Sequence, residues 1–227
     1  MENKNCLIMA THFDDDYLMF GSFLINYPGN IFIFYTHQGD CIPGDIYDTE
    51  LTENNNFLDC VNKYRIGKNY GKCERVYFPE KNGVSRLGIT EKTHREICGK
   101  VEYFLENYEW EYYLYSCNSI HNNHQQSHII AESLLRAPYI FNVKKVLIGT
   151  YYPECMFPVE NTGKFCVQRI MTEEDMENLI DTGKNYVSKL RKFPEEQFRK
   201  ILRYNGLKIN GSYAQSFAAR HIVLFDN

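Results

Sequence analysis

The sequence predicts an α/β fold: a Rossmann-like three-layer sandwich with a mostly parallel central sheet and a C-terminal elaboration. Short apolar runs alternate with longer segments of helical periodicity up to about residue 150. This order is typical of parallel sheets covered by helices on both faces. The runs are nearly continuous in apolar character, as in strands buried on both sides. Since no linker, repeat or low-complexity tract interrupts the chain, we expect a single domain over residues 1–227.

The individual elements follow from this alternation. Strands are predicted at 6–10, 31–35, 75–78, 111–116 and 145–150, and helices at 16–26, 50–64, 90–107 and 124–136. The first helix is expected to begin in the acidic run 14–16, because carboxylates favour helix N-termini. Beyond Tyr151 the pattern changes, with helices predicted at 172–191 and 194–204 and a β-rich run at 215–225.

Composition and charge limit the classes of function. The net charge of -4 and the pI of about 6.0 do not provide the basic face that nucleic-acid binding requires, so no such partner is expected. The eight cysteines show no CxxC spacing, and the N-terminal apolar run is too short for a signal peptide or a membrane span. We therefore expect reduced thiols and a cytoplasmic protein without a transmembrane segment.

A first cluster of chemically active side chains follows the first predicted strand. It reads His12-Phe13-Asp14-Asp15-Asp16 and lies where a strand gives way to a helix. In parallel sheets, ligands bind at the carboxyl ends of strands, and carboxylates crowded beside an imidazole are compensated directly by a divalent metal. The alternative is an ordinary helix N-cap in a solvated acidic turn.

A second cluster opens the helix that follows the strand predicted at 111–116. The segment 119–128 reads SIHNNHQQSH and holds three of the seven histidines. Imidazole nitrogens suit zinc and similar metals, and two pairings are open. His124 and His128 are four apart and share a helix face, whereas His121 and His124 lie in the turn into the helix. A solvent-facing polar turn is the alternative to both.

The two clusters occupy equivalent places, strand end and then helix start, so neighbouring parallel strands would bring them together. Two ligands from one loop and one from the other leave a position for water, which is the arrangement of catalytic zinc. Zinc makes that water a usable nucleophile near neutral pH. No GxSxG, Walker or GxGxxG motif is present. A cysteine nucleophile at Cys41 or Cys117, both near strand ends, is a minor alternative.

At these residues the chain resembles the LmbE-like deacetylases, which include the PIG-L enzymes. HFDDD resembles the family's HPDDE motif, HNNH resembles its HPDH motif, and roughly a hundred residues separate the two, as in the family. Weaker similarities are 36–39, placed like the Thr-x-Gly turn, and 213–217, which resembles a late YAEAF segment. The resemblance implies a single LmbE-like deacetylase domain over 1–227 that removes the acetyl group from an N-acetylglucosamine-type sugar or conjugate.

Carried over by position, the resemblance implies roles for five residues. His12, Asp15 and His124 match the metal ligands, which implies Zn²⁺, with Fe²⁺ possible as the native ion. Asp14 matches the general base, and His121 matches the histidine that steadies the tetrahedral intermediate. A water on the metal would then attack the amide of a small N-acetylated amino sugar. His128 receives no role, and the oligomeric state and the sugar's aglycone stay open.

The departures from the family pattern are also informative. Phe13 replaces the usual proline, and Asp16 replaces the usual glutamate, so any contact from that position is one methylene shorter. Asn123 replaces an aspartate, which makes His121 less readily protonated if that aspartate normally raises its pKa. The segment 52–56, TENNN, replaces an Arg-Glu-rich helix, so substrate recognition could differ. The alternatives are a metal-dependent amidase acting on another N-acyl group and a catalytically silent binding module of the same fold.

Overall fold

A computed structural model of the chain describes residues 4–38, 47–81, 84–85, 88–117, 122–135, 142–149, 166–187, 195–207 and 213–222. The strands of the main sheet are β1 (Asn5–Ala10), β2 (Asn30–Tyr35), β3 (Cys73–Tyr77), β6 (Trp110–Ser116), β7 (Val143–Gly149), β8 (Cys166–Met171) and β9 (Tyr213–Ile222). A separate hairpin is formed by β4 (Val84–Ser85) and β5 (Gly88–Ile89). The helices in this part of the chain are α1 (Phe13–Asn26), α2 (Tyr47–Gly67), α3 (Glu91–Asn107), α4 (Asn122–Leu135), α5 (Glu173–Gly183) and α6 (Glu195–Leu207).

The main sheet has seven strands in the order β3-β2-β1-β6-β7-β9-β8. The first five strands of this order are mutually parallel, whereas β9 runs antiparallel to both β7 and β8. The predicted mostly parallel sheet is therefore confirmed, and β9 is its single reversed strand among the described residues. The C-terminal elaboration extends the same sheet, because β9 and β8 continue it beyond β7.

Helices cover both faces of the sheet. Tyr112 packs against Phe23 of α1, with ring centroids 4.9 Å apart, and Tyr115 packs against His128 of α4 at 5.4 Å. Because side chains three apart in a strand point to opposite faces, α1 and α4 lie on opposite sides of β6. The three-layer sandwich is thus built around strands that are fully buried, such as β1, whose residues from Cys6 onward are 0% exposed.

Helix α1 is enclosed on nearly every side, which suits a helix that is apolar around most of its circumference. It contacts α2 and α5 as well as β1, β8 and β9. The approach to α5 is close, since a Cβ atom on Gly21 would lie 2.7 Å from Leu179. The body of α1 is consequently packed tightly between the sheet and two other helices.

The order of the strands places a crevice beside β1. The chain runs from β1 to β2 and β3 on one side, and it later returns to form β6 on the other side of β1. This reversal is a topological switch point, where open α/β sheets bind ligands beyond the carboxyl ends of the strands. Helices α1 and α4 both begin at this edge, so their first turns face the crevice together.

One predicted helix is shorter in the structure, and one strand of the main sheet was not predicted. The helix predicted at 172–191 ends at Gly183 and is followed by a turn at Lys184 and Asn185, while 188–191 lie outside the described residues. Strand β8 was not predicted, because it is an edge strand with Ile170 52% exposed and therefore lacks the continuous apolar run of a buried strand. No helix of the described ranges is long and apolar enough to cross a bilayer.

Candidate metal centre

The structure brings His12, Asp15 and His124 together at the switch point. His12 directly precedes α1, Asp15 lies in the first turn of α1, and His124 lies in the first turn of α4. All three side chains are buried, and each offers one donor atom that lies within 4.8 Å of the others. The expected convergence of the two sequence clusters at one edge of the sheet is thus observed for these three residues.

The distances within the cluster can be compared with those around a metal ion. The Nδ1 atom of His12 lies 3.3 Å from Oδ2 of Asp15, and Nε2 of His124 lies 3.7 Å from the same oxygen. Ligands bound at about 2.1 Å in a tetrahedron are about 3.4 Å apart. The two distances to Asp15 are therefore close to the spacing of ligands around one ion. Two imidazoles with one carboxylate suit Zn²⁺ or Fe²⁺.

Hydrogen bonds outside the cluster orient its side chains. The hydroxyl of Thr11 lies 3.2 Å from Nδ1 of His124, which leaves Nε2 facing Asp15. The backbone N–H of His12 donates to Oδ2 of Asp15 at 2.7 Å, and the amide of Asn123 lies 3.2 Å from Nε2 of His12. Outer partners of this kind fix ring orientation in metal sites. Neither Thr11 nor the contact from Asn123 to His12 was identified from the sequence.

The charge state of Asp15 follows from these neighbours. Burial alone would raise the pKa of its carboxyl, but the nearby ring of His124 and the hydrogen bonds and charge of His12 hold that pKa below its ordinary value. Asp15 is consequently an ionised carboxylate inside the protein, in contact with two imidazoles. Buried carboxylates are paired with positive charge or coordinate a metal, and a bound cation would take over the compensation that the two imidazoles provide here.

His37 is a fourth histidine at the same edge, and sequence analysis gave it no role. It follows β2, it is fully buried, and its ring centroid lies 6.1 Å from that of His12. Its Nδ1 lies 2.9 Å from the hydroxyl of Thr36, and its Nε2 lies 3.3 Å from the side-chain oxygen of Gln126. Burial lowers the pKa of His37 to about 3, and the charge of His12 adds to this effect. His37 could have been predicted from the sequence as a site residue, because it lies just after β2, a parallel strand next to β1.

The hairpin β4–β5 reaches the cluster through Gln126. The backbone N–H of Ile89 donates to the same side-chain oxygen of Gln126 that faces His37, at 3.3 Å. Gly88 has a φ of 119°, and a Cβ atom there would lie 2.2 Å from the amide of Gln126. Only glycine combines this backbone conformation with so close an approach. Gln126 thus joins the hairpin, α4 and His37 at one point.

The remaining candidates are distributed as follows. Asp14 is more exposed than either flanking residue of the first turn, and Asp16 is fully buried and bonded to groups away from the cluster. The ring of His128 bonds the carbonyl of Ser116 at 3.1 Å, so its pairing with His124 as a second ligand is not observed. His121 lies outside the described residues, so its predicted role stays a prediction.

Of the two cysteines that the sequence offered as a nucleophile, Cys117 is not part of the cluster of His12, Asp15 and His124. Cys117 is buried directly after β6, and its backbone N–H donates to the carbonyl of Gly149. Cys41 lies outside the described residues.

The fold and this cluster define a class: α/β sandwiches with a buried centre of two histidines and one carboxylate at the switch point of the sheet. No protein-family model matches the sequence, and no curated protein is similar to it. Similarity to solved structures is extensive, however, and covers nearly the whole chain.

Two of the similar structures are deacetylases. A deacetylase of the teicoplanin biosynthesis pathway has a TM-score of 0.63 at 13% identity, over 95% of this chain and 97% of the other. The N,N'-diacetylchitobiose deacetylase of Pyrococcus horikoshii also has a TM-score of 0.63, at 12% identity over 99% and 88% of the two chains. GalB, the 4-carboxy-2-hydroxymuconate hydratase of Pseudomonas putida KT2440, has a TM-score of 0.66 at 9% identity over 99% of each chain. These likenesses support the resemblance to LmbE-like deacetylases at the level of the fold.

Proposed function

We propose that this protein is a metal-dependent hydrolase that removes the N-acetyl group from an N-acetylglucosamine-type sugar or conjugate. The observation that carries the proposal is the convergence of donor atoms of His12, Asp15 and His124, which lie within 4.8 Å of one another in a buried cluster. Two named deacetylases share the fold that presents this cluster, which supports the choice of reaction. The substrate would be a small molecule, and the proposed location is the cytoplasm.

The proposed ion would be held by His12, Asp15 and His124. Zn²⁺ or Fe²⁺, when bound there, would polarise the acetyl carbonyl and lower the pKa of a water molecule toward neutrality. The burial of all three side chains keeps the ligand set out of bulk water, which strengthens electrostatic interactions within the site. Thr11 and Asn123 would hold the two imidazole rings in place.

Asp14 is the proposed general base. It lies between His12 and Asp15 in sequence but is more exposed than either, so its carboxylate can reach a substrate in the crevice. Asp14 takes a proton from the attacking water while the water oxygen bonds to the carbonyl carbon. The C–N bond then breaks, and a proton returns from Asp14 or His121 to the leaving nitrogen. The products are acetate and a free amine, and His121 is assigned to steady the oxyanion on the family resemblance.

The decisive experiment is an assay of acetate release. Protein freed of metal by a chelator and reloaded with Zn²⁺ or Fe²⁺ would be incubated with a panel of N-acetylated amino sugars and their conjugates. We expect metal-dependent release of stoichiometric acetate and primary amine from at least one member. A folded, metal-loaded protein that releases acetate from none of them would contradict the proposed substrate class, and N-acyl groups other than acetyl would then be tested.

A second candidate reaction is suggested by the similarity to the hydratase of Pseudomonas putida. Addition of water to a carbon–carbon double bond also needs a base and an electrophile beside an activated water, so the same residues could serve it. The two reactions differ in their products, since hydration releases neither acetate nor an amine. Loss of the ultraviolet absorbance of an unsaturated carboxylic acid, without acetate release from any sugar, would favour the hydratase.

A further inference from the structure

Asp16 is a buried acidic residue next to the metal cluster, and its side chain is hydrogen-bonded to groups outside that cluster. It directly follows Asp15, is 0% exposed, and accepts hydrogen bonds at its Oδ2 from the hydroxyls of Tyr35 at 2.5 Å and Tyr186 at 2.9 Å. Its Oδ1 accepts from the backbone N–H of Tyr17 at 2.6 Å. These donors come from β2, from the segment after α5 and from α1 itself, so one carboxyl group ties three parts of the chain together.

A second layer of contacts completes this polar cluster. The amide nitrogen of Asn54 donates to the hydroxyl oxygens of Tyr35 at 2.9 Å and Tyr186 at 2.7 Å, and its Oδ1 accepts from Arg75 at 2.7 Å. Each tyrosine hydroxyl therefore accepts from Asn54 and donates to Asp16. Such fully satisfied buried networks are rigid, because every alternative arrangement leaves a polar group without a partner.

Because Asp16 directly follows Asp15 in α1, a rigid Asp16 also restricts the orientation of Asp15. Successive residues of a helix point about 100° apart, so Asp15 faces the metal cluster while Asp16 faces Tyr35 and Tyr186. A carboxylate oxygen lies roughly 5–6 Å from the helix axis, so a rotation of roughly 10° about that axis moves it by about 1 Å. Metal ligands tolerate deviations of only about 0.2 Å, and the first turn of α1 must therefore be fixed in rotation.

We propose that Asp16, Tyr35, Tyr186 and Asn54 form a positioning cluster that sets the rotation of the first turn of α1 and thereby aims Asp15 at the metal. The inference rests on the proposed metal centre and adds to it a contribution from the C-terminal part of the chain. Tyr186 supplies that contribution, and its ring is itself held by Phe57 at 4.6 Å. Asn54 belongs to the segment 52–56, one of the departures from the pattern of the resembled family, and it serves this cluster through hydrogen bonds to the two tyrosines.

The experiment removes one hydroxyl at a time and measures metal affinity. Tyr186→Phe and Tyr35→Phe keep the rings, and Tyr27→Phe is the matched control. Tyr27 is also buried and also donates to a carboxylate, Glu111 at 3.2 Å, but at the opposite end of α1. The dissociation constant for Zn²⁺ would be measured by competition with a chromophoric chelator, and thermal melting of the metal-free proteins would confirm that each variant is folded.

We expect Tyr186→Phe and Tyr35→Phe each to raise the Zn²⁺ dissociation constant by about 10-fold, and the double variant by up to about 100-fold. The Zn²⁺ dissociation constant of Tyr27→Phe should stay within about twofold of the wild-type value, even if its melting temperature falls as much as those of Tyr186→Phe and Tyr35→Phe. Equal affinities in the wild type and in all four variants would show that the cluster only stabilises the fold and would overturn the inference. A folded wild type that binds no Zn²⁺ or Fe²⁺ would instead overturn the metal centre itself. If one of the two single variants does not fold, the Zn²⁺ affinity of the other is sufficient to test the inference.

Discussion

The amide of Asn123 lies 3.2 Å from Nε2 of His12, so the residue that replaces the family's aspartate contacts a proposed metal ligand. Sequence analysis connected Asn123 with His121 instead, and that connection stays a prediction because His121 lies outside the described residues. When Nδ1 of His12 binds the proposed metal, the neutral imidazole carries its proton on Nε2. The oxygen of the Asn123 amide, turned by 180°, would accept from it.

The first prediction is that Asn123→Ala weakens metal binding. Loss of the amide leaves the imidazole of His12 free to rotate away from Asp15, and loss of an outer partner typically costs 10–100-fold in metal affinity. We expect a Zn²⁺ dissociation constant roughly 10-fold higher, measured by chelator competition. Asn122→Ala, at the exposed neighbouring position of α4, is the control and should bind as the wild type does. An unchanged affinity in Asn123→Ala would mean that the contact has no orienting role.

The second prediction concerns the acid stability of the metal-free protein. Burial holds the pKa of His37 at about 3, whereas the unfolded chain has the ordinary value of 6.5. Between these values the unfolded chain binds the extra proton, so the contribution of His37 to stability is complete above pH 6.5 and declines as the pH falls toward 3. From pH 7 to 4.5 the loss is about 2–3 kcal/mol at 1.36 kcal/mol per unit.

Urea unfolding at pH 7 and 4.5, with a chelator present, measures this loss. The variant His37→Gln removes the titrating ring and should lose about 2–3 kcal/mol less than the wild type over this range. The control is His94→Gln, at an exposed position of α3, which should keep the wild-type dependence. If His37→Gln and the wild type lost equal stability, protonation of His37 would not limit the acid stability of the fold.

The strands that are buried on both faces were predictable from sequence, because burial restricts them to apolar residues. β1 and β6 lie inside the sheet, so their apolar runs are nearly continuous and locate them from sequence. β8 has a partner on one side only, and its mixed composition carries no comparable signal. The same physics explains why the strand ends, and hence the positions of His12 and His124, could be placed before the structure was known.

The residues that sequence analysis missed depend on contacts between distant segments. His37 comes to lie beside His12 because Ala10 pairs with Tyr35 in register, which a lone histidine in a turn does not reveal. Tyr186 is 170 positions from Asp16 and reaches it only through the packing of α5 on α1. Motif spacing locates ligands that are close in sequence, whereas the groups that orient those ligands are assembled by tertiary structure.

The third prediction compares two glycines. Gly88→Ala places a Cβ within 2.2 Å of the amide of Gln126 in a backbone conformation with a φ of 119°, so it should cost about 1–3 kcal/mol and displace Gln126 from His37. Gly99→Ala, inside α3 with no atom within 4 Å of the new Cβ, should instead stabilise the protein by up to about 1 kcal/mol. Urea unfolding of both variants measures the difference. Equal effects at the two positions would contradict the close packing of the hairpin on Gln126.

The last prediction separates the two neighbouring aspartates of the first turn of α1. Asp15 is buried against His12 and His124, whereas Asp14 is more exposed, so the two carboxylates should have different roles. Asp14→Asn keeps the shape and removes the base, so metal content should stay near that of the wild type while turnover falls by roughly 10²–10⁴-fold.

Asp15→Asn and His124→Ala should behave in the opposite way, because each removes a donor atom of the cluster. They should bind metal more weakly, and excess metal should partly restore their activity, as it cannot in Asp14→Asn. Metal content by elemental analysis and turnover over a range of metal concentrations distinguish the two patterns. If Asp14→Asn lost its metal and Asp15→Asn kept it, the assignment of the two carboxylates would be reversed. If both variants kept metal and full activity, the proposed deacetylase chemistry would be wrong at its centre, since neither carboxylate would then take part in it.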